Sequence, residues 1–279
     1  MNKIAKYPVD LHCHSTASHG TLKPQDLVAL AVNRGLQAIG LTDHDTIEGW
    51  SEAEKAAQKL GITLIKGIEI NTDWRGQEIH ILGYGMDEYN TSFKNHLYSI
   101  QEKRILRIKK IVDRLQSLGF KISFEEINNF SKGESIGRPH VAQALVAKGY
   151  VKDTQTAFNR FLKIGAPAYV PRYKLDPEQA VKIIRKAGGV AVLAHPGSQR
   201  IDFNQIQELA IAGLQGIEIC HPDHSPEHFR VYKEIAVKLG LLTTGGSDYH
   251  GPEIKADIEI GNWGVSMEDL TNLLQICGH

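Results

Sequence analysis

Short apolar runs alternate with amphipathic segments along most of the chain, and no other feature constrains the fold as much. Strands that are apolar throughout need cover on both faces, and the intervening helices supply it. The runs fall at 8–12, 38–42, 63–66, 78–83, 190–194, 216–220 and 241–243. Residues 24–34 set Leu27, Leu30 and Ala31 on one helical face and stop before Gly35, a C-cap residue. The segments 47–60 and 177–187 repeat that design and close on Gly61 and Gly188. The pattern predicts a βα barrel, and 279 residues suffice for one such domain carrying an insertion.

One region interrupts the alternation. Between 86 and 165 the spacing is helical throughout, with helices expected at 91–118, 124–130, 139–148 and 154–162. A polar return with three prolines follows at 165–177. The expected organisation is a barrel domain made of 1–86 and 166–279, with a helical insertion at 87–165.

Charge narrows the partners. Lys plus Arg number 32 and Asp plus Glu number 32, so no broad basic face is available to grip long nucleic acid. A small anionic substrate in a local pocket remains compatible. No apolar run reaches the roughly 18 residues of a membrane span, and the N-terminal residues lack the apolar stretch of a signal peptide. Cys13, Cys220 and Cys277 are odd in number and far apart, which suggests neither a disulfide framework nor a thiolate metal site. A cytoplasmic protein is expected.

The thirteen histidines carry the chemistry. The first strand ends Asp10-Leu11-His12-Cys13-His14, and alternation puts His12 and His14 on one face. The second ends Thr42-Asp43-His44-Asp45, the third runs through Gly67-Ile68-Glu69-Ile70, and the fourth carries His80. An apolar strand then ends in His195-Pro196-Gly197, and the last leads into Gly245-Gly246-Ser247-Asp248-Tyr249-His250. Imidazoles and carboxylates gathered at one end of successive strands suit Zn, Mn or Fe rather than a thiolate cluster. With His19 included there are nine candidate ligands, enough for about three ions at three protein ligands each. Glu69 is the best bridging candidate, because a carboxylate can hold two cations.

These motifs, in this order, resemble the polymerase and histidinol phosphatase (PHP) family. The resemblance implies a distorted (β/α)7 TIM-like barrel with three divalent metal ions (manganese, iron or zinc) at its mouth, and a phosphoesterase activity. It extends to Ile136-Gly137-Arg138-Pro139-His140-Val141-Ala142, similar to the segment that closes over substrate in nucleotide-directed members. Those members remove the 3′-phosphate of nucleoside 3′,5′-bisphosphates or trim short 5′-phosphorylated RNA. Carried over, His12, His14, Glu69 and Asp248 would hold one ion, and Glu69, His80 and His195 a second. His19, His44 and His250 would hold the third. His19 departs from the Asp that many nucleotide-directed relatives carry, and a neutral ligand there shifts metal preference and the acidity of bound water.

The expected reaction is metal-assisted hydrolysis of a phosphate monoester. Arg138 would neutralise phosphoryl oxygens, and His140 would hydrogen-bond the phosphate or protonate the leaving oxygen. Arg172 and His224 are further candidate substrate contacts. The residues leave alternatives open: a histidinol-phosphate or other small-molecule phosphatase, a metal-dependent amidohydrolase, or a non-catalytic module of the same fold.

Overall fold

The computed structural model describes residues 4–131, 136–171, 173 and 175–278. The chain divides into two compact units, Met1–Asn95 with Lys174–His279, and His96–Tyr173. In chain order the first stretch contains β1 Val9–Cys13, α1 Pro24–Asn33, β2 Ala38–Leu41, α2 Trp50–Leu60, β3 Thr63–Trp74 and β4 Gln77–Tyr84. There follow α3 Thr91–Ser117, α4 Phe124–Ser131, α5 Arg138–Ala147 and α6 Thr154–Ala157, which continues into a π-helical turn, Phe158–Leu162. The remainder is α7 Pro177–Lys186, β5 Val190–Leu193, α8 Pro196–Gln199, α9 Phe203–Ile211, β6 Gly216–Cys220, α10 Pro226–Leu239, β7 Leu242–Gly245 and α11 Met267–Cys277.

Among the described residues the strands form one seven-stranded sheet in sequential order from β1 to β7. A bridge between Cys13 and Tyr249 brings the far end back to β1, so the sheet is a nearly closed barrel. The seven-stranded α/β architecture expected from the sequence is the one observed, with a single local difference. β3 and β4 are antiparallel neighbours with no helix between them. Arg75 and Gly76, at φ 55° and 96°, make the two-residue turn whose twist suits a hairpin. The reversal moves His80 from the far end of its strand to its first half, opposite Asn71. His80 therefore reaches the same mouth as the other candidate ligands by running the other way.

Period-two alternation divides β1 between two environments. Val9 and Leu11 join Ala38, Ile65, Leu82, Val192 and the α11 residues Leu270 and Leu273 in one apolar cluster. Asp10, His12 and His14 point to the opposite face and are equally buried. Buried polar groups need partners, which makes the interior of the mouth the place to look for chemistry.

The helical unit has a core of its own. On α3, Ile108, Ile111, Val112 and Leu115 follow the spacing of one helical stripe and cluster with Val141, Leu145 and Leu162. Phe120, Phe124 and Phe130 pack against this cluster. No helix among the described residues is long and apolar enough to cross a membrane.

Candidate metal centre

Four donor atoms converge at the mouth, two from the end of β1, one from within β3 and one from the loop after β7. Nε2 of His12 lies 3.1 Å from Nε2 of His14 and 3.2 Å from Oε2 of Glu69. Nε2 of His14 lies 3.2 Å from the same Glu69 oxygen and 3.1 Å from Oδ1 of Asp248, which is 3.5 Å from Nε2 of His12. Five separations between 3.1 and 3.5 Å describe the edges of a nearly regular tetrahedron. The centre of such a figure is about 2 Å from each corner, the length of a bond from zinc to imidazole or carboxylate. These residues fit a divalent cation.

Glu69 divides its oxygens. Oε2 faces His12, His14 and Nδ1 of His44, the last at 3.2 Å. Oε1 faces Nδ1 of His80 at 2.8 Å and Nε2 of His195 at 3.0 Å. A third gathering holds His14, His44 and His250, with the His14 and His250 rings stacked at 4.2 Å and His19 set edge-on to His44 at 5.5 Å. The nine expected ligand positions thus lie around one cavity mouth.

The surroundings explain how so many polar groups can be buried. The Glu218 carboxyl lies 3.0 Å from Nδ1 of His12, and Asp10 clamps the backbone by accepting from the N–H groups of His12, Ser247 and Gly261. Asp43 accepts from the Ser15 N–H and from the Ser15 and Ser18 hydroxyls, fixing the loop that carries His14 and His19. His250 turns Nδ1 to the Asp248 carbonyl at 2.9 Å, and Lys255 pairs with the other Asp248 oxygen. His195, Asp45 and Asp248 stand at φ 26°, 57° and 49°. Backbone held in that region by side-chain-bearing residues is characteristic of functional sites.

Protonation follows from this crowding. Burial alone would depress the His12 imidazolium, but Glu218, Glu69 and Asp248 outweigh it and hold its pKa well above the usual value. His14 is raised in the same way against burial, and His80 is lifted to about 10 by Glu69 and Glu78. Burial wins at His44, which is held well below the usual value, and at His250, lowered to about 3. Against burial, the imidazoles of His44, His12 and His80 draw Glu69 well below the usual carboxylate range.

Comparison with known proteins decides the family. The PHP domain model matches residues 10–185. The chain belongs to the PHP family. It is 36% identical over 249 residues to a 3′,5′-nucleoside bisphosphate phosphatase of Chromobacterium violaceum, covering 88% of this chain and 87% of the relative. It is also 36% identical to a 5′-3′ exoribonuclease of Haemophilus influenzae, over 87% of this chain and 90% of that one. A solved structure of a predicted metal-dependent phosphoesterase from Bifidobacterium adolescentis superposes with a TM-score of 0.86 at 31% identity, covering 98% of each chain. A metal-dependent hydrolase on an α/β barrel is what this PHP protein's relatives and fold establish, and the family implies divalent metals.

The remaining expected contacts fare differently. Nδ1 of His224 donates to the Ile219 carbonyl at 2.7 Å, and Nε2 accepts the Gly197 N–H at 3.0 Å. Both nitrogens of His224 are engaged with the backbone. Arg172 lies outside the described residues. Arg138 and His140 belong to the helical unit, at the start of α5. Nη1 of Arg138 donates to the Leu162 carbonyl at 3.1 Å, and its guanidinium lies between the Phe158 and Tyr169 rings. Nδ1 of His140 accepts the Gly137 N–H, and burial with Arg104 nearby keeps the imidazole neutral by lowering its pKa.

Glu218 escapes the sequence reading of ligands and their supports, while His221, following its strand, is expected only to border the pocket. Glu218 is wholly buried beside His12, and His221 is buried within 5.0 Å of the His195 ring. A signal existed for the first: Gly-Ile-Glu-Ile occurs at 67–70 and again at 216–219. In both strands it puts one carboxylate among buried apolar neighbours, facing the mouth.

Proposed function

We propose that this PHP protein hydrolyses phosphate monoesters of small nucleotides, foremost the 3′-phosphate of nucleoside 3′,5′-bisphosphates, and trims short 5′-phosphorylated RNA. The observation that carries the reading is the divided Glu69 carboxylate, with one oxygen in a tetrahedron of donors and the other between His80 and His195. That arrangement suits adjacent cations bridged by a carboxylate. About three ions of the manganese, iron or zinc group would be held at three or four protein ligands each. His12, His14, Glu69 and Asp248 would hold one, Glu69, His80 and His195 a second, and His19, His44 and His250 the third. When bound, such ions lower the pKa of water and neutralise phosphoryl charge.

The chain's own groups supply the rest. Arg138, braced by two aromatic rings and a carbonyl, offers a planar fork of donors for phosphoryl oxygens. His140 accepts at Nδ1, so its proton sits on Nε2, and as a neutral imidazole it is a hydrogen-bond donor to phosphate rather than a charged acid. Arg172 is a further phosphate contact in this reading. The nucleotide preference is supported by the activities of the two named relatives and by the absence of net charge for gripping long polyanions. A cytoplasmic setting fits three unpaired cysteines.

The test is a phosphate-release screen under Mn2+ over adenosine 3′,5′-bisphosphate, AMP, histidinol phosphate and a short 5′-phosphorylated RNA, with Arg138→Ala alongside. The bisphosphate should be the preferred substrate, and Arg138→Ala should lower its turnover by at least about 10-fold, the loss of one charge-assisted phosphate contact. Preference for histidinol phosphate, or an unchanged Arg138→Ala rate, would overturn the nucleotide reading.

A further inference from the structure

Glu218 lies in β6, wholly buried, and both of its oxygens are taken by residues that carry metal donors. Oε1 lies 3.0 Å and Oε2 3.2 Å from Nδ1 of His12. A carboxylate only accepts, so Nδ1 of His12 carries a proton and Nε2 keeps its lone pair for the tetrahedron with His14, Glu69 and Asp248. Oε2 accepts the backbone N–H of His195 at 2.9 Å. His195 is at φ 26°, a conformation that persists only where surrounding contacts enforce it. From that backbone its Nε2 reaches within 3.0 Å of Oε1 of Glu69.

The two bonds act on opposite sides of the bridging carboxylate. His12 faces Oε2 of Glu69, and His195 faces Oε1. We infer that Glu218 is a positioning residue that couples two adjacent divalent-cation sites, fixing the ring tautomer of a ligand in one and the backbone of a ligand in the other. This rests on the reading that the Glu69 donor sets hold ions. Glutamine makes the role separable, because it keeps the shape of Glu218 but offers one acceptor and one donor group. If its oxygen takes the His12 Nδ1–H, its NH2 group meets the His195 N–H, donor against donor. Turned over, its oxygen keeps the His195 N–H and lies 3.2 Å from His12 Nδ1, but its NH2 group takes the 3.0 Å place beside that nitrogen, where it either meets the Nδ1–H, donor against donor, or pushes the proton to Nε2 and removes the lone pair the ion needs. Neither orientation serves both sites.

The experiment titrates chelator-treated wild type and Glu218→Gln with Mn2+ by calorimetry, and counts bound metal after desalting. It also records histidine ring 15N spectra of the Zn2+-loaded wild type. Glu218→Gln should bind at least one ion about 10–100-fold more weakly, the usual cost of losing such an outer partner, while its chelated form keeps the wild-type circular-dichroism spectrum. His12 in the loaded wild type should carry its proton on Nδ1. Equal Mn2+ affinity and count in the variant would overturn the coupling. So would a His12 proton on Nε2, a result that stands even where Glu218→Gln fails to fold. A wild type that binds no Mn2+ would instead overturn the underlying reading of Glu69, and the coupling with it.

Discussion

At the scale of single residues, the centre of this protein is a balance between buried carboxylates and the imidazoles that neutralise them. Without ions, His12, His14 and His80 are lifted above the ordinary histidine value, the last to about 10. A raised folded-state pKa contributes stability that is complete below about 6.5 and lost as pH rises through the folded value. His44, His195 and His250 are lowered, so they disfavour the fold as pH drops below about 6.5 and the unfolded chain takes up their protons. Glu218, drawn to about 2 by the His12 and His221 imidazoles against burial, contributes above about 4.3 and loses that contribution as pH falls through 2. The melting temperature of chelator-treated protein should therefore peak near pH 6.5 and decline between pH 7 and 9. Metal-loaded protein should hold or rise over the same interval, because ligand deprotonation favours the ion. A chelated form that gains stability from pH 7 to 9 would refute this protonation scheme. The candidate ligands stand out in the sequence, because His12-x-His14, Glu69, His195 and Asp248-x-His250 follow or end apolar runs. Glu218 carries one sequence signal, the repeat of Gly-Ile-Glu-Ile. Its importance depends on β6 lying beside β5, a register that no local spacing reveals.

At the scale of elements, the alternation of apolar runs and helices located the strands but not every direction. The reversal of β4 depends on two turn residues, Arg75 and Gly76, and a strand read only by its apolar content shows no polarity. The prolines and glycines that punctuate helices were more informative. Pro24, Pro177 and Pro226 open α1, α7 and α10, where their missing N–H costs nothing, and Gly61 and Gly240 close α2 and α10 in the left-handed conformation. The approach of the loop after β7 to β1 has a sharper requirement. A Cβ on Gly246 would come within 2.3 Å of the His12 Cβ and 2.4 Å of its backbone nitrogen. No rotamer relieves a clash with backbone, so closure of the sheet and the placing of His12 both need glycine there. Gly246→Ala should destabilise the protein by about 1–3 kcal/mol, the range for overpacking a tight site. Denaturant unfolding of the two proteins checks this, and Mn2+ affinity should fall with stability. Wild-type values for both would contradict the close packing of these elements.

For the whole molecule, equal numbers of acidic and basic residues conceal an interior whose buried charges are mostly acidic. Glu69, Glu218 and Asp248 concentrate negative charge in a buried mouth lined by imidazoles, a donor set that could hold divalent cations. Fold class and family were legible because they follow from the order of motifs along nearly the whole chain. The substrate contacts were less so. Arg138 and His140 sit on a helical insertion whose core is independent of the barrel strands, and His224, plausible by proximity to a strand end, proves to be a backbone tie. The central claim is that the divided Glu69 carboxylate joins ions that act together on a phosphate monoester. Adding Mn2+ stepwise to chelator-treated protein, while phosphate release from adenosine 3′,5′-bisphosphate is followed, tests it most directly. Release should be absent without metal, stay low through the first equivalent and reach its plateau only near about three equivalents. Turnover by metal-free protein, or a full rate at a single equivalent, would contradict it.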